Sequence, residues 1–82
     1  MKITVLYFAA VRDLVGKAEE EIDVPAHVTT IDALGGHLTT LHPALEGRLR
    51  YVRFARNEEF AVGTEAVAEG DTIALIPPVA GG

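Results

Sequence analysis

The 82-residue chain contains no cysteine and no serine. Without cysteine there is no disulfide, thiolate metal site, iron–sulfur cluster or thiol nucleophile. Without serine there is no Ser-His-Asp triad. Histidine is scarce: His27, His37 and His42 are the only imidazoles. No two of them fall at i, i+4 on one helical face, the spacing of a helix-borne zinc pair, and they read as solvated residues near helix ends. Basic residues number seven against twelve acidic, for a net charge of −5. An acidic surface repels phosphate backbones, so nucleic acid is not an expected partner. No apolar run approaches the roughly 20 residues of a membrane span, so no membrane is expected either. The run from Ile3 to Val11 after Lys2 has a superficial likeness to a signal peptide, but its removal would delete the most strand-like segment of the chain. The expected location is cytoplasmic.

Hydrophobic residues make up 49% of the chain and mean hydropathy is +0.25, which suits one folded domain spanning residues 1–82. Ile3–Phe8 is rich in β-branched and aromatic residues and predicts a strand. Ala9 to Val15 predicts a short helix, stopped by Gly16. Glu19 to Val24 reads as a charged strand at a sheet edge, its glutamates solvated and blunting aggregation. Ile31, Leu34, Leu38 and Leu41 share one helical face, with Thr29 or Thr30 as cap and His42-Pro43 as stop. Gly35-Gly36 inside this helix suggests close packing on the sheet. A connector over Leu45 to Arg50 leads to a strand at Tyr51 to Arg56, a tight Asn57-Glu58 turn and a return strand at Glu59 to Val62. After a turn at Glu69-Gly70-Asp71, Thr72 to Ile76 is the last strand, ended by Pro77-Pro78.

This order predicts an α+β fold. With first and last strands side by side and parallel, and the long helix across one face, it is the β-grasp, or ubiquitin-like, arrangement: a mixed five-stranded sheet with one main helix. One helix covers one face. In the first strand Ile3, Val5 and Tyr7 share a side opposite Thr4, Leu6 and Phe8; in the last, Ile73 and Leu75 lie opposite Ala74 and Ile76. Whichever set is buried, large apolar groups such as Phe8 and Ile76 remain on the other side, and Phe60 in the hairpin can join them. Either the short helices cover that patch or a partner does. Asp71 and Glu69 form a carboxylate pair, but their place in a turn points to turn chemistry, and no catalytic residue or metal ligand set is expected.

The C-terminal residues carry the remaining signal. Proline stops the strand and holds the chain extended, giving a flexible tail over 77–82. Two final glycines alone are an ordinary frayed end. After a rigid Pro-Pro stem they suit a tail that threads a narrow channel and offers its carboxylate to another protein's active site.

Three segments together resemble the small-subunit family of molybdopterin synthase, within the ubiquitin-like sulfur carriers. They are Val5-Leu6-Tyr7-Phe8-Ala9-Ala10-Val11-Arg12-Asp13-Leu14-Val15-Gly16, Arg56-Asn57-Glu58-Glu59-Phe60, and the stretch from Glu69-Gly70-Asp71 through Pro77-Pro78-Val79-Ala80-Gly81-Gly82. The resemblance implies that an E1-like adenylyltransferase uses ATP to adenylate the carboxylate of Gly82. Sulfur from a donor such as a cysteine desulfurase or a rhodanese-like protein then replaces the AMP, leaving a C-terminal 1-thioglycine and no bound cofactor. The tail residues Pro77, Pro78, Val79, Ala80 and Gly81 thread into the synthase large subunit in a heterotetramer. There the sulfur helps convert a cyclic pyranopterin precursor to the dithiolene of molybdopterin. By the same resemblance, Phe8, Phe60 and Ile76 stand where the family makes apolar partner contacts. The small subunit is a sulfur donor rather than a catalyst. The fold also admits a carrier for thiazole or tRNA thiolation, or a ubiquitin-like modifier joined to lysines through Gly82.

Overall fold

A computed structural model describes residues 1–78 of the chain. Its elements are β1 (Lys2–Tyr7), α1 (Ala9–Val15), β2 (Glu19–Asp23), α2 (Ile31–Leu41), β3 (Arg53–Arg56), β4 (Glu59–Ala61) and β5 (Thr72–Ile76), with one 3₁₀ turn at Pro43–Leu45. The strands form one sheet in the order β2-β1-β5-β3-β4. β1 and β5 run parallel at its centre, and the other pairs are antiparallel. This is the ubiquitin-like β-grasp, an α+β fold with a mixed five-stranded sheet.

Strand alternation decides which side is buried. Ile3, Val5 and Tyr7 of β1 and Ile73 and Leu75 of β5 point to the helix side, each at most 2% exposed. Ile31, Leu34 and Leu38 of α2 pack onto them, and Val11 of α1 and Leu45 of the 3₁₀ turn close the same core. Both short helical segments therefore serve the helix side and leave the opposite face open.

The helix ends are locally encoded. The Thr30 hydroxyl accepts from the Ala33 N–H at 3.2 Å, and Asp32 sits in the first turn of α2, where the helix dipole favours a negative charge. α1 ends on Gly16 at φ 87°, a left-handed cap that a side chain would strain.

Three expectations need correction. The third strand begins at Arg53, not Tyr51. Its partner β5 ends opposite it, with Arg53 paired to Ile76, and Pro77 and Pro78 have no N–H to extend the ladder. Tyr51 and Val52 are held in a turn instead, the Val52 N–H donating to the Leu49 carbonyl at 3.1 Å. The fourth strand stops at Ala61, because the Val62 carbonyl is taken up in a turn by the Glu65 N–H at 3.0 Å. The glycine pair is not demanded by close packing. A β-carbon on Gly35 would lie 3.5 Å from the Phe54 ring, an ordinary contact, and one on Gly36 would have nothing within 4 Å.

Candidate functional site: an open apolar groove on the sheet

The helix-free face of the sheet carries a groove of about 250 Å³ lined by Leu6, Phe8, Ala55, Glu58, Phe60, Thr72, Ala74 and Ile76. Its floor follows from register. Leu6 of β1 stands beside Ala74 of β5, Ala74 beside Ala55 of β3, and Ala55 beside Phe60 of β4. Small alanines in the middle and large side chains at the sides leave a trough. Phe8 and Phe60 rise from it 45% and 59% exposed, which water disfavours for rings of this size. The three interface candidates from the sequence, Phe8, Phe60 and Ile76, are thus brought together in one groove.

Backbone geometry at the margins is unusual. Phe8 is the extended residue before α1, and Ala9 follows at φ 48°, left-handed for a non-glycine residue. At the other end Asn57 and Glu58 have φ 51° and 73°, the paired positive angles of a tight two-residue hairpin turn. Asparagine tolerates this conformation readily; glutamate is held there by the hairpin.

Asp71 fixes that hairpin to the start of β5. It is 7% exposed and accepts hydrogen bonds from Arg56 Nε at 2.7 Å, Asn57 Nδ2 at 3.0 Å and the Ala68 N–H at 2.7 Å. Burial alone would raise its pKa; the Arg56, Asn57 and Ala68 hydrogen bonds and the Arg56 charge outweigh burial and hold it below the usual carboxylate range. Glu69 serves elsewhere, accepting from the Lys2 N–H at 3.0 Å. The pair is structural, in line with its turn position.

A second polar cluster sits on the helix side. Glu20 Oε2 accepts from the Tyr7 hydroxyl at 2.5 Å and lies 2.5 Å from His42 Nε2. The Tyr7 and His42 rings meet edge to face, their centroids 5.9 Å apart. This corrects two readings: His42 is not a solvated helix end, and Glu20 is not part of a uniformly solvated edge. The signal was available, since alternation along β2 puts Glu20 on the same side as Ile22, facing the helices. Among the described residues, no group of three or more His, Asp or Glu side chains could hold a metal ion.

Sequence reasoning also missed Arg53. It shares the open face with Ile76 and Ala55, and its guanidinium stacks 3.8 Å from the centre of the Phe60 ring. Pro77 and Pro78 border a separate apolar crevice formed with Val11, Leu14, Tyr51 and Val52. Val79, Ala80, Gly81 and Gly82, the sequence's candidates for threading and activation, lie outside the described residues. No described helix is long and apolar enough to cross a membrane.

A β-grasp sheet with one face closed by helices and the other open and apolar, its central strand leading to the C-terminal residues, defines a ubiquitin-like small protein. The chain belongs to the ThiS family, whose profile matches residues 5–82. It is 37% identical over 84 residues to the molybdopterin synthase sulfur carrier subunit of Chlamydomonas reinhardtii, covering 100% of both chains. It is 39% identical over 83 residues to small archaeal modifier protein 1 of Haloferax volcanii, covering 92% of this chain and 94% of that one. Among solved structures, SAMP1 from Haloferax volcanii superposes with a TM-score of 0.88 at 32% identity, over 100% of both chains.

Proposed function

We propose that this chain is the sulfur carrier of molybdenum cofactor biosynthesis, acting as the small subunit of molybdopterin synthase. The observation that carries the reading is the end-to-end match to a molybdopterin synthase sulfur carrier subunit at 37% identity, with neither chain overhanging the other. The open groove supports it, because a carrier must dock on a larger protein before it can deliver anything.

In this reading a carboxylate oxygen of Gly82 attacks the α-phosphorus of ATP on an E1-like adenylyltransferase, and pyrophosphate leaves. The outer sulfur of a persulfide on a cysteine desulfurase or rhodanese-like donor attacks the acyl carbon and AMP departs, leaving an acyl disulfide; a thiol then cleaves its S–S bond, which releases the thiocarboxylate and forms a disulfide. A carboxylate needs this step because its oxygen is a poor leaving group. In the large subunit the sulfur passes to the precursor, and water supplies the oxygen that returns the carrier to an ordinary carboxylate. Two deliveries make one dithiolene, consistent with a heterotetramer of two small and two large subunits. The chain supplies sulfur and docking surface, and the catalytic side chains belong to the large subunit. Gly81 and Gly82, lacking side chains, pass a narrow channel, with Val79 and Ala80 following and Pro77-Pro78 stiffening the stem. Phe8, Phe60 and Ile76 are the apolar contacts to the partner. A cytoplasmic location fits both partners.

A second reading has its own observation. The 39% identity to a small archaeal modifier protein favours a chain that is also joined to lysines through Gly82. Both uses pass through the same acyl-adenylate.

Intact-mass analysis of the chain from its own cells tests both. Free chain heavier by one sulfur-for-oxygen exchange, and its loss on deletion of Gly82, is the expected result. Lysine-linked adducts instead assign the modifier role. An unmodified carboxylate under molybdenum-replete and sulfur-replete growth overturns the carrier reading.

A further inference from the structure

The groove does not lie in a neutral surround. Cross-strand partners share a face, and β1 pairs Leu6 with Glu19, Thr4 with Glu21 and Lys2 with Asp23. Since Leu6 faces the groove, Glu19, Glu21 and Asp23 form a row of carboxylates along the same face, all exposed. Glu58 adds a fourth from the hairpin and lines the groove itself. The cations there are the N-terminal ammonium, 3.3 Å from Asp23, Lys2, 3.8 Å from Glu21, and Arg53, stacked on Phe60 beside Ile76. The face is therefore anionic along β2 and at the hairpin turn, apolar in the middle, and cationic near the exit toward Pro77.

Protection of an edge strand accounts for charge on this side of β2, whose other side is taken up by Glu20, tied to Tyr7 and His42, and by Ile22 against the core, but not for the exposed aromatic rings beside that charge. On β2 the exposed carboxylates Glu19, Glu21 and Asp23 lie on the side that also exposes Phe8 and Phe60, Glu21 and Asp23 each with one cation partner. A second copy of the chain fits poorly as the occupant. Carboxylates outnumber cations on this face, and stacking two such faces adds like charge to like charge.

We propose that the open face docks a partner protein whose apolar contact residues are flanked by lysine or arginine opposite β2, and that Glu19, Glu21 and Asp23 steer this encounter. The proposal rests on the carrier reading, in which the partner is the synthase large subunit. It adds the partner's charge chemistry and a kinetic role for β2. Apolar contact at Phe8, Phe60 and Ile76 then sets how long the complex lasts, while the carboxylates set how fast it forms.

The test measures association of the full-length chain with the large subunit of the same organism by stopped flow, across ionic strength. Glu19→Lys/Glu21→Lys is expected to slow association about tenfold or more at low salt. The rates should converge near 1 M salt, where screening falls to roughly 3 Å. Asp13→Lys/Glu46→Lys, which makes the same four-unit change at exposed positions in α1 and beyond the 3₁₀ turn, controls for net charge and should stay near wild type. Circular dichroism confirms that each variant is folded. Equal rates for wild type and the β2 variant, with Phe8→Lys abolishing binding, overturn the steering role and leave the docking reading standing. Unchanged binding by Phe8→Lys as well overturns the face as a docking surface. A concentration-dependent dimer of the free chain that Phe8→Lys disperses makes a second copy the occupant and also overturns the proposal.

Discussion

Replacing Tyr7 with phenylalanine isolates one hydrogen bond in an otherwise unchanged core. The ring is 2% exposed and phenylalanine fills the same space, so no sizeable cavity is created. What is lost is the hydroxyl that donates to Glu20 Oε2 at 2.5 Å. A hydrogen bond to a charged group contributes roughly 1.5–3 kcal/mol. Glu20 keeps His42 at 2.5 Å and Lys17 at 3.4 Å, which places the expected loss at the low end, about 1.5 kcal/mol. In a domain of this size each kcal/mol moves Tm by about 4–8 °C, so the variant should melt roughly 6–12 °C lower at pH 7. The pH dependence has a definite sign. Burial tends to raise the Glu20 pKa, but hydrogen bonds from Tyr7 and His42 and the charges of His42 and Lys17 outweigh it and lower it. A carboxyl depressed in the folded state stabilises above its unfolded value of about 4.3 and loses that contribution as pH falls through the folded value. The gap between wild type and variant should therefore be full at neutral pH and narrow below about pH 4. Burial and the neighbouring Glu20 push the Tyr7 hydroxyl far above the ordinary phenol range, so it remains a donor throughout. Thermal and urea unfolding followed by circular dichroism read both quantities. A Tm change of less than about 2 °C at pH 7, or a gap constant down to pH 3, refutes the reasoning.

Asp71→Asn should lower stability by about 1–3 kcal/mol at pH 7, since the amide turns a donor toward one of the three donors that Asp71 accepts. Because the Asp71 pKa is lowered in the fold, its contribution is present above the usual carboxylate value and lost as pH falls through the folded value; the variant should show a flatter acid limb in urea unfolding. Gly36→Ala should stabilise by about 0.5–1 kcal/mol, because the position is helical and an added β-carbon meets nothing within 4 Å. A fall in the urea midpoint would show that α2 needs glycine there.

Much of this protein is written locally in its chain. Thr30, the spacing of Ile31, Leu34 and Leu38, and Gly16 mark both helices. Alternation in Ile3–Phe8 and Thr72–Ile76 separates the two sheet faces, and one amphipathic helix covers only one of them. Those are short-range properties, set by a residue and its near neighbours. The open groove follows from them once β1 and β5 lie side by side, which groups Phe8 and Ile76; Phe60 joins them through the pairing of β4 with β3 and of β3 with β5.

Other features needed the tertiary structure. Tyr51 and Val52 look like strand, but a strand exists only where a neighbour offers hydrogen bonds, and β5 ends opposite Arg53. Which side of the sheet the helices would take was undecided by alternation alone and was settled by Val11 and Leu45 joining the core beside α2. The joining of Tyr7, Glu20 and His42, the pinning of the hairpin by Asp71, and the stacking of Arg53 on Phe60 unite residues 7 to 35 positions apart. Periodicity can show which way one partner faces, as it does for Glu20, but not which residues meet, because that depends on register between strands and on where a helix ends.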